Sequence, residues 1–150
     1  MDRYSVIGRH TATPATPSTI ALLVAGATKR LFVREVIIGT ETATTATSAA
    51  ASLGRPTTSG TGGAAYTPLP SDAAAPAAIF TALSATTVWS AEPTQPGTYD
   101  RRAAVNVFTT MLYMTESPLV IAVSTRFAAR VEADTSGTKQ QWTATIVVEE

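Results

Sequence analysis

The sequence predicts an all-β protein: one β-sandwich or jelly-roll-like domain at 20–150, preceded by an extended Thr/Pro-rich arm at 1–19. Three observations favour this class. Roughly seven or eight short runs of apolar and β-branched residues are separated by turn residues. No long stretch has the period of an amphipathic helix, and the last third of the chain alternates between apolar and polar residues. A chain of 150 residues is long enough for one domain with its own core.

The arm is predicted from its prolines. Residues 11–19 read TATPATPST, and Pro14 and Pro17 oppose a regular helix and favour an extended path. The sequence leaves two interpretations open: a loosely attached terminus, or an arm that lies across a neighbouring subunit.

The first two predicted strands follow the arm. They occupy 20–25 and 31–38, each is closed by a glycine, and the residues between them have the length of a hairpin turn. Segment 40–59 has two possible interpretations, a Thr-rich edge strand or a long loop, and residues 49–51 could form a short helix. Residues 60–63 are predicted to form a turn.

The later strands are predicted from alternation. Asp72 could cap a single helical turn. One parity of 79–89 carries Ile79, Thr81, Leu83, Ala85, Thr87 and Trp89, which indicates a strand through part of that segment. Residues 103–114 carry apolar side chains on both faces. In 119–133 the odd-numbered residues are mostly apolar, and in 142–148 the even-numbered ones are. Each of these last two segments is therefore expected to bury one face.

The composition favours a protein that packs against other proteins. Charged residues make up 15% of the chain, below the roughly 25% of typical soluble domains, and 27 threonines and 27 alanines supply small neutral side chains. Eleven Lys and Arg residues balance eleven Asp and Glu residues, so the sequence lacks the basic excess on which non-specific nucleic-acid binding rests. Weak self-repulsion suits assembly, and we expect a homo-oligomer that binds neither nucleic acid nor membrane.

The chain start and the cysteine content bear on location. The opening residues MDRY lack a basic region followed by an apolar run, and the apolar run at 20–25 is too short to span a bilayer. We therefore expect synthesis in the cytoplasm. Cysteine is absent, which excludes disulfides and thiolate metal sites.

The candidates for chemistry each have a simpler interpretation. His10, the single histidine, is predicted to be a surface polar residue and not part of a catalytic triad. One histidine with scattered carboxylates offers no zinc ligand set and no calcium loop. Glu35 stands in an apolar run beside Arg34, where a catalytic carboxylate is less favoured than an outward-facing residue or an intersubunit ion pair.

The glycine-rich and aromatic residues are interpreted in the same way. The GTGG turn at 60–63 lacks the Lys-Ser/Thr of a phosphate loop, and Pro68 prevents the helix such a loop requires. Most aromatic residues are expected in the core, although Trp89 and Tyr99 are candidates for an interface. We therefore predict no catalytic, cofactor-binding or metal-binding residues and no enzymatic activity.

Several stretches of the chain resemble small virion proteins of tailed phages. They are GTGG at 60–63, TPLPSD at 67–72, the Ala-rich residues up to Ala78, WSAEPT at 89–94 and IVVE at 146–149. The resemblance implies a capsid decoration (cement) protein, a β-sandwich or jelly roll that binds and stabilises the outer surface of the major capsid protein lattice, often as a trimer. It carries no catalytic residues with it. The alternatives are a tail or head-fibre component, a receptor- or carbohydrate-binding module and, less favoured, a small hydrolase.

Overall fold

The fold is built from eleven β-strands in a computed structural model, which describes residues 1–12, 16–42, 48–85, 89–96, 101–106, 111–132 and 140–150. In chain order the strands are β1 (Arg3–Ala12), β2 (Ser18–Val24), β3 (Leu31–Thr42), β4 (Ser48–Gly54), β5 (Ala64–Tyr66), β6 (Leu69–Pro70), β7 (Thr81–Ser84), β8 (Arg101–Asn106), β9 (Met111–Ile121), β10 (Arg126–Val131) and β11 (Gln140–Glu149). The described residues contain no helix.

The strands form two antiparallel sheets that pack against each other. Sheet A has the order β6-β1-β11-β3-β9, and sheet B has the order β5-β7-β2-β10-β4-β8. The first four strands alternate between the sheets, so their connections cross from one layer to the other. Each sheet covers the apolar face of the other, and the predicted all-β sandwich is confirmed.

The core confirms the inward faces predicted near the end of the chain, although β10 buries its other face as well, with Ala128 and Arg130 buried. The fully buried members of those faces are Phe127, Ala129, Val131, Ala144, Ile146 and Val148, with Trp142 at 1% exposure. Segment 119–133 is, however, two strands in different sheets, with a turn between β9 and β10. Val123 lies in that turn and is 40% exposed although it shares the predicted parity.

The predicted N-terminal arm is wrong for most of its length. Residues 3–12 form β1, which pairs with β11 from Arg3 opposite Glu149 to Ala12 opposite Gln140. Tyr4 and Val6 are fully buried, and the Tyr4 hydroxyl donates a hydrogen bond to the carbonyl of Pro76 at 2.8 Å. The prolines follow this strand and do not interrupt it. A deletion of residues 1–17 would therefore remove part of the core and not a separate arm.

Two other sequence predictions are corrected by partners distant in the chain. Residues 26–30 do not close a hairpin, because β2 belongs to sheet B and β3 to sheet A. Residues 49–51, considered as a short helix, lie in β4, where pairing with β8 and β10 outweighs the weak local preference of alanine. Asp72 caps a turn and no helix, its side chain accepting a hydrogen bond from the Ala74 amide at 2.9 Å.

The outer face of sheet B is partly covered by the chain itself. Trp89, predicted in part of a strand, lies in a loop and packs with Leu22, Ala85 and Ala128 in a second apolar cluster. Its indole Nε1 donates a hydrogen bond to the Thr19 carbonyl at 2.8 Å. This loop covers the part of the outer face of sheet B around Leu22 and Ala128, whereas large apolar side chains are exposed on the outer face of sheet A.

Candidate protein-interaction surface

An apolar band crosses the outer face of sheet A. Its central row is set by strand register: Ile7 lies opposite Thr145, Thr145 opposite Ile37, and Ile37 opposite Leu112. In the next row Val147 lies opposite Glu35, which lies opposite Met114. We define the apolar band as Ile7, Ile37, Leu112, Met114 and Val147.

Several of these side chains are strongly exposed. The exposed fractions are 41% for Ile7, 55% for Leu112 and 65% for Met114, and Val120 on the same edge strand is 37% exposed. Single exposed apolar residues are ordinary, but here apolar residues from four neighbouring strands share one face, with Thr145 and Glu35 between them. Such a patch is typical of a surface that binds another protein.

A β-bulge in β3 aims two charged residues at this face. Val33 lies opposite Val148 and Glu35 opposite Val147, so Arg34 has no counterpart on β11. The bulge places Val33 and Val36 in the core while Arg34 and Glu35 are both half-buried. The sequence carries a signal for it, because the apolar parity of LFVREVII switches at Arg34.

An ionic cluster of Arg3, Arg34 and Glu149 borders the apolar band. Arg3 donates to Oε1 of Glu149 at 2.8 Å, and Arg34 donates to Oε2 at 2.8 Å. A third bond runs from Arg34 to the carbonyl of Glu116 at 3.2 Å. The cluster forms one wall of a depression of about 490 Å³ that also contacts Met114. The single carboxylate therefore bridges two guanidinium groups and balances the charge of one of them.

The pKa of the Glu149 carboxyl is lowered from its ordinary value of 4.5, first by the hydrogen bond from Arg3 and then by Arg34, while burial opposes the shift. A pKa that is lower in the folded chain means that the ion pairs stabilise the fold fully above about pH 4.5. This contribution is lost as the pH falls through the folded-state pKa.

We expect Glu149→Gln to be less stable than the wild type at pH 7, and the difference to shrink on acidification below about pH 4.5. The measurement is urea unfolding of both proteins across that pH range. Glu116→Gln, which neutralises an exposed carboxylate on the same face, is the matched control. Parallel pH profiles for wild type and Glu149→Gln would contradict the assigned role of the cluster.

A second ion pair lies towards the other end of the same face. Arg9 on β1 donates from Nε to Oε2 of Glu41 on β3 at 3.0 Å. Ion pairs within the chain thus lie towards both ends of the face, and Glu35 is the charged residue in the rows between them.

His10 and Glu35 lie on different parts of sheet A. The prediction of a surface histidine is wrong: His10 is 5% exposed on β1, opposite Trp142, with its Nδ1 3.4 Å from the carbonyl of Ala85. His10 is even-numbered like the buried Tyr4 and Val6, and this alternation in the sequence could have predicted that it is buried. Glu35 is half-buried on the outer face of sheet A and lines the depression beside Arg3 and Arg34.

The glycine turn and the aromatic residues have structural roles where they are described. Gly60 has a φ of +65°, a conformation that L side chains rarely adopt, and the turn that it begins is bridged to Ala91 through Thr61. Trp89 and Trp142 are buried, at 6% and 1% exposure. Tyr99, the other aromatic candidate for an interface, lies outside the described residues.

Within the described residues, no three side chains of His, Cys, Asp or Glu converge in a way that could hold a metal ion. The same part of the chain has no helix with the length and apolar character needed to cross a membrane.

Comparison with known proteins gives no relative. No family model, no curated protein and no solved structure matches the chain. The resemblance to phage decoration proteins therefore stays a prediction.

Proposed function

We propose that this protein is a non-enzymatic assembly module that docks on a larger protein lattice through the outer face of sheet A. The observation that carries the proposal is the apolar band, in which Ile7, Leu112 and Met114 are 41–65% exposed on one sheet face. The specific role proposed is capsid decoration on the outer surface of a phage head, for which the sequence resemblance is the support.

The size of the face suits such a contact. It measures about 19 Å across its four long strands and about 25 Å along them, or roughly 500 Å². Stable protein interfaces bury about 800 Å² per partner, so one copy would bind with moderate affinity. Attachment to a repeating lattice by an oligomer would multiply that affinity through avidity.

The aromatic residues favour this role over glycan binding. A carbohydrate-binding module requires an exposed aromatic platform, whereas Trp89 and Trp142 are both buried. A tail or head-fibre component could use the same apolar band, and the site of attachment on the particle distinguishes it from a decoration protein.

Ile7→Lys is expected to reduce binding to empty shells of the phage capsid protein at least tenfold, because it places a charge within the apolar band, in a contact that excludes water (order-of-magnitude estimate). Co-sedimentation with the shells measures the bound fraction. Binding of the wild type should persist from about 0.1 M to 0.5 M salt, since the proposed contact is carried mainly by apolar side chains, which salt does not screen.

Thr81→Lys is the control for added charge, because Thr81 is exposed on sheet B, away from the apolar band. It should bind as the wild type does. A wild-type protein that ignores the shells, or an Ile7→Lys variant that binds them normally, would contradict the proposal. Electron microscopy of decorated particles would then place the protein on the head or on the tail.

A further inference from the structure

The edges of the two sheets are not equally protected against pairing with another strand. In the described part of the chain, sheet A ends in β6 and β9, and sheet B ends in β5 and β8. β6 has two residues and β5 has three, and β8 begins with Arg101 and Arg102. Very short strands and charged residues are the usual means of keeping an edge from pairing with another chain.

The first half of β9 has little of this protection. β9 is 11 residues long and contains a single charged residue, Glu116. Residues 111–114 pair in regular register with β3, and Leu112 and Met114 are exposed there. Beyond Met114 a bulge that contains Glu116 and Pro118 interrupts the pairing until Leu119. The apolar edge before this bulge is a site for strand addition.

From this contrast we infer that β9 pairs with β9 of a second copy of the chain, joining two copies of sheet A into one continuous sheet. Antiparallel pairing of identical strands is two-fold symmetric, so the same surface is used on both copies. The association closes at two copies because the two-fold pairing uses the β9 edge of both copies.

The side chains define the register. If Leu112 of one copy lies opposite Met114 of the other, the two-fold axis produces this contact twice. The apolar band then continues across the junction between the two sheets. In that register the two Glu116 residues lie about 20 Å apart, further than the screening length of about 8–10 Å, so their charges do not oppose pairing. A shift by two residues that placed Leu112 opposite Glu116 would instead face an apolar side chain with a carboxylate.

The β9 edge that pairs with a second copy is distinct from the outer face of sheet A that docks on a lattice. Self-association thus occurs at β9 and not at the N-terminal arm, which is largely a core strand. The two-fold pair also replaces the trimer implied by the family resemblance. The paired sheets would present two apolar bands side by side, which supplies the avidity that the proposed function requires.

Sedimentation of the isolated full-length protein tests the pairing without any particle. The wild type should be a concentration-dependent dimer, and Met114→Lys should raise its dissociation constant at least tenfold (order-of-magnitude estimate), because an edge lysine opposes strand addition. Ile7→Lys is the matched control. Ile7 lies on the same face but on β1, away from the β9 edge, and should leave the dimer intact while it weakens lattice docking.

Disulfide cross-linking tests the register. The chain contains no cysteine, so each introduced cysteine can react only with another introduced cysteine. An equimolar mixture of Leu112→Cys and Met114→Cys should form a disulfide-linked dimer on mild oxidation. Either variant alone should not, since like positions would be separated by more than about 7 Å. A monomeric wild type, a trimer, a dimer that Met114→Lys leaves unchanged, or equal cross-linking of each variant alone would overturn the inference.

Discussion

Trp142→Ala is expected to lower the free energy of unfolding by about 3–5 kcal/mol, the range for truncating a large buried aromatic side chain. Trp142 is 1% exposed in β11, the central strand of sheet A, and it belongs to the main core cluster. Removing its ring leaves a cavity between the two sheets, and the main core cluster loses its contacts with that ring. Urea unfolding at constant m-value measures the loss.

Two controls accompany this variant. Trp142→Phe should cost clearly less, because it keeps an aromatic ring and removes an indole N–H that is buried without a hydrogen-bond partner among the described residues. Leu69→Ala, at a position 51% exposed, should stay within about 0.5 kcal/mol of the wild type. A loss below about 1 kcal/mol for Trp142→Ala would mean that the inward face of β11 is misassigned.

Gly8→Ala is expected to destabilise the fold by about 3 kcal/mol or more, a large effect for the addition of one methyl group. Gly8 is buried in β1 at the point where that strand passes closest to β2 in the opposite sheet. A Cβ there would overlap the carbonyl oxygen of Ile20 and lie 2.7 Å from the Cβ of Ala21. The sheets would have to separate, because neither the Ile20 backbone nor the Ala21 methyl can rotate away.

Gly54→Ala is the matched control for this prediction. Its added Cβ would meet only the side-chain amide of Gln95, the end of a flexible side chain that can move. The same Gly-to-Ala change should therefore cost much less at position 54 than at position 8. Thermal unfolding of the two variants measures the difference, and equal stabilities would show that the approach of β1 to β2 is looser than described.

β1 and β3 illustrate how far sequence patterns could be interpreted. In β1 the alternation of Tyr4, Val6 and His10 with polar residues was present, but the prolines that follow directed the prediction towards an arm. In β3 the parity switch at Arg34 marked the bulge that aims Arg34 at Glu149. The partner could not be foreseen, because Glu149 is 115 residues away and is brought near only by the pairing of β3 with β11.

The sequence by itself determined the fold class and the inward faces of the last two strands. Alternation with a period of two is a local property, and it identifies which residues of a strand share a face wherever that strand lies. The buried residues Phe127, Trp142 and Ile146 were predicted in this way.

Only the tertiary structure decided which sheet each strand joins and which apolar face remains exposed. β9 carries apolar residues on both faces, and alternation cannot indicate that Tyr113 points into the core while Leu112 and Met114 point outward. The loop around Trp89 covers part of one sheet and leaves the other exposed, which depends on contacts between residues distant in the chain. Residues distant in the chain decide which strand lies at the edge of a sheet and which sheet face is covered by a loop. The proposed function depends on the face that stays exposed.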